Sequence, residues 1–314
     1  MPIIAAIQRP PVLLDRVATL ARAVESLNEA ADHDAKLVVF PETYIPGYPE
    51  WVWRTKPGDV ALAGEIHRLL LASAVDLAHD DLAPLRTAAK KRGVTVVCGV
   101  QEIDGAHSRA TLYNTVVVIG DDGEVKNRHR KLVATNPERM VWGAGDGSGL
   151  RVVETPSGRV GGLICWENYM PLARFALYAQ GIEIYVAPTW DQGEHWLNTM
   201  RHIAREGRTW VVGCAIAMQA KDIAATFPGR AAIYPDDEEW LNSGDSVVVD
   251  PTGKIAAGPL HRERAILYAD CDPSAVALAR RTLDVAGHYN RPDVFDLRVN
   301  RAPLAPIAFR DGDG

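Results

Sequence analysis

Short apolar runs alternate along this chain with stretches in which apolar residues recur at steps of three and four. The first pattern suits strands buried in a sheet, the second helices with one buried face. Ile3–Gln8 reads as a strand and 12–31 as a helix. A second strand covers 36–40 and stops at Pro41. Residues 62–71 and 82–91 are expected to be helical, with Gly93 ending the second, as a C-terminal glycine often does. Strands are then expected over 94–100 and Leu112–Ile119, the latter turning at Asp121-Asp122-Gly123 into a partner at 124–126. Further on, 160–165, 182–187, 210–217 and Ala265–Asp270 read as strands, with helices over 172–180, 194–206 and a short one from Pro273. Pro251-Thr252-Gly253 joins 246–250 to 254–257 as a second hairpin.

Strands interleaved with helices, plus two hairpins, predict an α/β architecture of two mixed sheets packed together with helices outside. Neither a compositional break nor an internal repeat divides the chain, so 1–284 is read as one domain. Residues 285–314 are rich in Arg, Pro and Asp and lose the periodicity. They are expected to form a C-terminal arm that packs on the domain or on a partner subunit.

The 314 residues are 47% hydrophobic and 24% charged, an ordinary globular balance that can bury a core without disulfides or metals. Net charge is 34 − 40 = −6, which argues against a nucleic-acid partner. No run approaches a membrane span, and the first residues do not read as a signal peptide. The expected address is the cytoplasm, where thiols stay reduced. The four cysteines, Cys98, Cys165, Cys214 and Cys271, have no metal-type spacing.

Three segments place a reactive side chain where a strand stops, the place where ligands usually bind in α/β sheets. Glu42 follows the strand that ends at Phe40-Pro41. Burial would raise its pKa toward that of a general base; a surface strand-end carboxylate is the plain alternative. Lys131 closes the basic run Arg128-His129-Arg130. That run reads by itself as a solvated loop, whereas a lysine in a dry pocket would stabilise developing negative charge. Glu138 and the glycine-rich 143–147 follow; the glycines lack the strand, helix and Gly-Lys-Ser/Thr ending of a phosphate loop. Cys165 sits between a strand and the helix that starts near Pro171. Such an elbow exposes a nucleophile, whereas Cys98, Cys214 and Cys271 suit structural roles.

Phe40-Pro41-Glu42, His129-Arg130-Lys131 and Ile164-Cys165-Trp166-Glu167, in this order, resemble the nitrilase superfamily of carbon–nitrogen hydrolases. Cys165-Trp166-Glu167-Asn168 with Met170-Pro171, Glu138-Arg139 with Val141-Trp142-Gly143, and 287–293 are similar to its nitrilase branch. The resemblance implies a four-layer αββα sandwich. It also implies homo-oligomers that pair through helices, with a dimer as building block, and that extend into spirals. It implies Glu42 as base, Lys131 and the Trp166 backbone N–H as charge stabilisers, Cys165 as nucleophile and Glu138 as the polar group orienting Lys131. The implied reaction takes a small-molecule nitrile and water to a carboxylic acid and ammonia through a thioimidate and a thioester, with no metal or organic cofactor.

Tyr48, Thr135, Trp190 and His195 are candidate pocket residues, each with core or interface packing as its alternative. Glu194, His195, Asn198 and His202 share a helical face, which reads better as a surface or interface cluster than as a metal site. Competing functions are an amidase or carbamoylase using the same thiol, a cyanide-hydrolysing or nitrile-hydrating variant, and a non-catalytic scaffold on this fold.

Overall fold

The computed structural model describes residues 1–307. In chain order its first half comprises β1 (Ile3–Gln8), α1 (Arg16–Asp32), β2 (Ala35–Val39), α2 (Val60–Ser73), α3 (Ala83–Arg92), β3 (Thr95–Ile103), β4 (Leu112–Ile119) and β5 (Val125–Arg130). The second half comprises β6 (Val153–Thr155), β7 (Gly158–Gly162), α4 (Pro171–Tyr178), β8 (Ile184–Thr189), α5 (Gly193–Gly207), β9 (Trp210–Ala215) and β10 (Ala217–Gln219). It ends with α6 (Arg230–Ile233), β11 (Trp240–Val249), β12 (Ile255–His261), β13 (Ala265–Asp270) and α7 (Ser274–Arg280).

Two mixed sheets result, ordered β13-β1-β2-β3-β4-β5 and β10-β11-β9-β8-β7-β6, with β12 also on β11. Strands β1, β2 and β3 run parallel at the centre of the first sheet, as do β7, β8 and β9 in the second. Period-two alternation decides the layering. In β1, Ala5 and Ile7 pack with Leu20, Ala23 and Leu27 of α1, while Ile4 and Ala6 face the second sheet. Val160, Ile184, Val186 and Val212 meet them from that sheet. On its far side, Tyr185, Ala187 and Val211 pack against Leu177 of α4 and Met200 of α5. The layers are therefore helix, sheet, sheet, helix, and strands covered on both faces explain the nearly unbroken apolar runs.

Several boundaries differ from the periodic reading for local reasons. Helix α1 starts four residues later than expected, because Asp15 caps it by accepting from Ala18 N at 2.9 Å and Leu14 takes a left-handed φ of 60°. Strand β7 stops at Gly162 instead of reaching Cys165. The basic run is no solvated loop: residues 128–130 belong to β5 and pair with β4. Arg130 is held to buried Glu102 at 2.5 Å, and His129 is buried. Strands β6 and β10, and the first six residues of β11, carry too little alternation to have been read.

The chain beyond α7 has no helix or strand among its described residues. Val285 and Ala286 pack on the outer α4–α5 cluster, and Leu304 N donates to Asp146 at 2.8 Å. Residues 308–314, the last part of the expected arm, lie outside the described residues. Among the described residues, no helix is long and apolar enough to cross a membrane.

Close backbone approach positions the loop after β2. This loop rides along β3, with Phe40 N donating to Val97 O at 2.8 Å, Ile45 N to Gly99 O at 3.2 Å and Gln101 N to Ile45 O at 2.7 Å. Between those bonds it bulges over Gly99, where a Cβ would overlap Pro41 O and Thr43 N. Gly99→Ala is therefore expected to destabilise the fold by about 1–3 kcal/mol, the usual result of overpacking. Gly64→Ala, on an open face of α2 with nothing within 4 Å, should instead stabilise it by about 0.5–1 kcal/mol. Urea unfolding of the two variants distinguishes these outcomes, and equal midpoints would remove the close-packing explanation.

Candidate active site

The bulge over Gly99 carries Glu42, which is fully buried. Its Oε1 accepts from Lys131 Nζ at 2.8 Å and from Asn114 Nδ2 at 2.6 Å, and its Oε2 from Trp190 N at 2.8 Å. Burial raises the pKa of this carboxyl, the Lys131 charge pulls it partly back, and Glu138 pushes it up again. The result is a carboxylate that takes a proton more readily than an ordinary glutamate.

Lys131 is the first residue past β5. Its own backbone is pinned on both sides, with N donating to Asn114 O at 2.7 Å and O accepting from Gly145 N at 2.8 Å. This explains the glycine-rich stretch: a Cβ at Gly145 would overlap Arg130 O, and one at Gly149 would overlap the His129 backbone. The stretch is a strap laid flat against β5, and the lack of side chains allows the contact. The ammonium also donates to Glu138 Oε2 at 2.8 Å. Burial would lower this lysine's pKa, but the charges of Glu42, Cys165 and Glu138 override that and raise it, so Lys131 stays cationic.

Glu138 lies in the short 3₁₀ helix Asn136–Met140, where it accepts from Thr135 N at 2.7 Å. Its other oxygen accepts from the Tyr48 hydroxyl at 2.7 Å, and Trp53 Nε1 donates to that hydroxyl at 3.0 Å. Tyr48 also stacks on Trp190 with ring centroids 4.5 Å apart.

Cys165 opens a second 3₁₀ helix, Cys165–Tyr169, with a left-handed φ of 50°. A side-chain-bearing residue adopts this conformation only where its surroundings impose it. Two side chains of the same turn do so. Glu167, buried, accepts from Ile164 N at 2.8 Å, from Leu132 N at 2.7 Å, and faces His129 Nε2 at 3.0 Å, tying the cysteine turn to the lysine segment. Burial would raise its pKa, but His129 and the two backbone donors hold it below the ordinary value. Asn168 donates to Cys165 O at 2.7 Å and is itself held by the Tyr185 hydroxyl at 2.7 Å. The Cys165 thiol is pushed up by burial first and by the Glu42 charge second, with Lys131 pulling it only partly back. Burial and Glu42 thus favour the thiol form over the thiolate, and the pull of Lys131 is the smaller effect. Cys98, Cys214 and Cys271 are buried as well and lie within the apolar clusters between the layers.

Cys165 and Glu138 open onto a cavity of about 240 Å³. Three of the candidate pocket residues, Tyr48, Thr135 and Trp190, line it, and so does Trp166, which the sequence reading named only for its backbone N–H. The Trp166 indole stands half exposed and donates to Asp191 at 3.0 Å. His195 does not belong there. It is exposed on α5, because Trp196, Met200 and Ile203 turn that helix's apolar face inward and leave His195, Asn198 and His202 around a separate surface hollow. Sequence reasoning missed Glu50, Trp53, Asp191 and Gln192 on the cavity wall, and Asn114 beside Glu42. Only the proximity of Glu50 and Trp53 to the Glu42 segment hinted at them; Asn114 sits mid-strand with no signal at all.

A family model described as carbon-nitrogen hydrolase matches residues 3–281. The chain is 39% identical to an aliphatic nitrilase of Sinorhizobium fredii, over 98% of each sequence. It is 40% identical to a bifunctional nitrilase/nitrile hydratase of Lupinus angustifolius, over 96% of this chain and 87% of that one. In fold it resembles Nit3 of Saccharomyces cerevisiae, a member of branch 10 of the nitrilase superfamily, with a TM-score of 0.68 at 22% identity over 92% of this chain and 97% of the other. The NitFhit protein of C. elegans gives a TM-score of 0.72 at 22% identity, over 97% of this chain and 68% of that one. The solved structures agree with the four-layer sandwich, and the family match and the curated relatives show the rest: the chain belongs to the carbon–nitrogen hydrolase family, in the nitrilase superfamily, and is a hydrolase acting on carbon–nitrogen bonds.

Proposed function

We propose that this enzyme hydrolyses an organic nitrile to the carboxylic acid and ammonia, with Cys165 as nucleophile, Glu42 as general base, and Lys131 as the electrostatic clamp set by Glu138. The observation that carries this reading is the buried cluster in which one ammonium bridges two carboxylates beside a thiol held at a strained turn. A neutral thiol next to a proton-hungry carboxylate needs the base to act as attack occurs. Glu42 takes the thiol proton while sulfur bonds to the nitrile carbon, and the proton passes to nitrogen, leaving a thioimidate. Water adds to that carbon with Glu42 again as base, ammonia departs, and a thioester remains. A second water releases the acid and restores the thiol, so one nitrile and two waters become one acid and one ammonia. Lys131 and the Trp166 backbone N–H stabilise the charge that develops on nitrogen and then on oxygen.

A second outcome has support in the lupin relative, whose name includes nitrile hydratase. After the first water adds, expulsion of the thiol in place of ammonia would give an amide. The balance depends on whether nitrogen is protonated before the carbon–sulfur bond breaks. Small-molecule nitriles and water are thus the proposed partners, with assembly of identical subunits as the family resemblance implies and a cytoplasmic setting for the reduced thiol.

Cys165→Ala is expected to lower turnover of any accepted nitrile by at least about three orders of magnitude, read as ammonia and acid released. Unchanged turnover would remove Cys165 as nucleophile. Lys131→Ala leaves two buried carboxylates facing each other, and should also lower stability by about 3–5 kcal/mol in urea unfolding. The base assignment has its own signature. Because the Glu42 pKa is raised above its ordinary 4.5, its ionised form is lost as pH falls through that raised value. The acid limb of kcat/KM on an uncharged nitrile should therefore lie above 4.5; a limb at or below it would rule out Glu42 as the base.

A further inference from the structure

The charged side chains on the cavity wall have one sign. Glu50, Glu138 and Asp191 line it, and among the described residues no lysine, arginine or histidine does. Lys131 stands behind this wall with its ammonium held between Glu42 and Glu138. Glu50 opens the short 3₁₀ helix Glu50–Trp53 and is only 7% exposed. Its Oε1 accepts from Arg54 Nε at 2.6 Å, while its buried Oε2 has only the neutral hydroxyl of Tyr234 beside it. Arg54 does not neutralise Glu50 alone, since its other nitrogens bind Glu239 at 2.8 and 3.0 Å. Two carboxylates thus share one guanidinium. Asp191 accepts only from neutral groups, the Trp166 indole at 3.0 Å, the Tyr169 hydroxyl at 3.3 Å and Gln192 N at 2.9 Å.

Aromatic rings complete the wall. Tyr48 stacks on Trp190, and Trp53 and Trp166 are each about half exposed at the cavity mouth. Ring faces attract cations, and carboxylates set among them do so more strongly. Burial raises the pKa of Glu50 despite Arg54, in keeping with a charge left under-compensated.

Resting on the nitrile reading above, we infer that the cavity selects nitriles that carry an ammonium group away from the cyano carbon. Glu50 is the specificity-determining residue and Asp191 reinforces it. The cyano carbon must reach Cys165, so the far end of the substrate meets the anionic and aromatic part of the wall. A nitrile bearing its own carboxylate meets Glu50 and Asp191 as like charges instead, and the wall selects against it. The same repulsion acts on the carboxylate that the reaction creates and favours product release.

Three nitriles of similar length test this: 4-aminobutyronitrile, pentanenitrile and 3-cyanopropanoate. The expected order in kcat/KM is ammonium over alkyl by about tenfold or more and alkyl over carboxylate by a similar factor, as complementary charge gives. Glu50→Gln should lower the ammonium-to-alkyl ratio at least about fivefold, and Asp191→Asn should lower it less. A second readout needs no turnover. Cationic 2-aminoethyl methanethiosulfonate and its anionic 2-sulfonatoethyl counterpart each convert a thiol to a mixed disulfide with release of the sulfinate. Modification at Cys165, followed by mass spectrometry and normalised to a free thiol, should favour the cation, and Glu50→Gln should reduce that preference. If no nitrile is hydrolysed but the reagent preference holds and responds to Glu50→Gln, charge selection stands and the nitrile reading falls. If pentanenitrile equals or exceeds the amine, or if neither variant moves either ratio, the inference is overturned.

Discussion

One ammonium between two buried carboxylates sets the terms for the rest of this site. Lys131, Glu42 and Glu138 are each no more than 2% exposed. Any one of them alone, taken out of water, would be destabilising by several kcal/mol. Held together at 2.8 Å, with Asn114 and Thr135 N donating to the same two oxygens and Trp190 N and the Tyr48 hydroxyl to the other two, they become tolerable. Every element nearby serves to hold that geometry. The loop after β2 lies over Gly99, the glycine strap clamps β5, and Glu167 ties the cysteine turn to His129 of β5 and to Leu132.

The electrostatic consequence bears on the chemistry. Burial of the cluster raises the proton affinity of Glu42 and withholds ionisation from the thiol; the Glu42 charge adds to the second effect, and Lys131 opposes both only in part. In the proposed mechanism nucleophile and base are thus matched in a buried site, where proton transfer accompanies attack and a free thiolate does not have to persist. A ring of hydrogen-bonded partners, from His129–Glu167 to Arg174–Glu206, fixes the turn at Cys165. Rigid placement of this kind reduces the reorganisation needed at the reacting carbon.

Much of the fold could be read before any coordinates. The pattern of short apolar runs placed the inner strands correctly because they are covered on both faces, where pairing and burial agree. It failed on β6 and β10, three residues each, which exist only because a neighbouring strand offers its edge. It also misjudged 128–130, where charge suggested solvent but Glu102 and Glu167 supply buried partners from other elements.

The sequence alone determined the order of the elements and set a carboxylate, a lysine and a thiol each where a strand stops, because both follow from local chemistry. Tertiary structure decided what those groups are to one another. It brought Glu42 and Lys131 together across 89 intervening steps of chain, inserted Asn114 beside them, turned His195 away on the outer face of α5, and placed Glu50 and Asp191 on the cavity wall. Distances between segments and the depth of burial set proton affinities and the sign of a pocket, and neither quantity exists until the layers have packed.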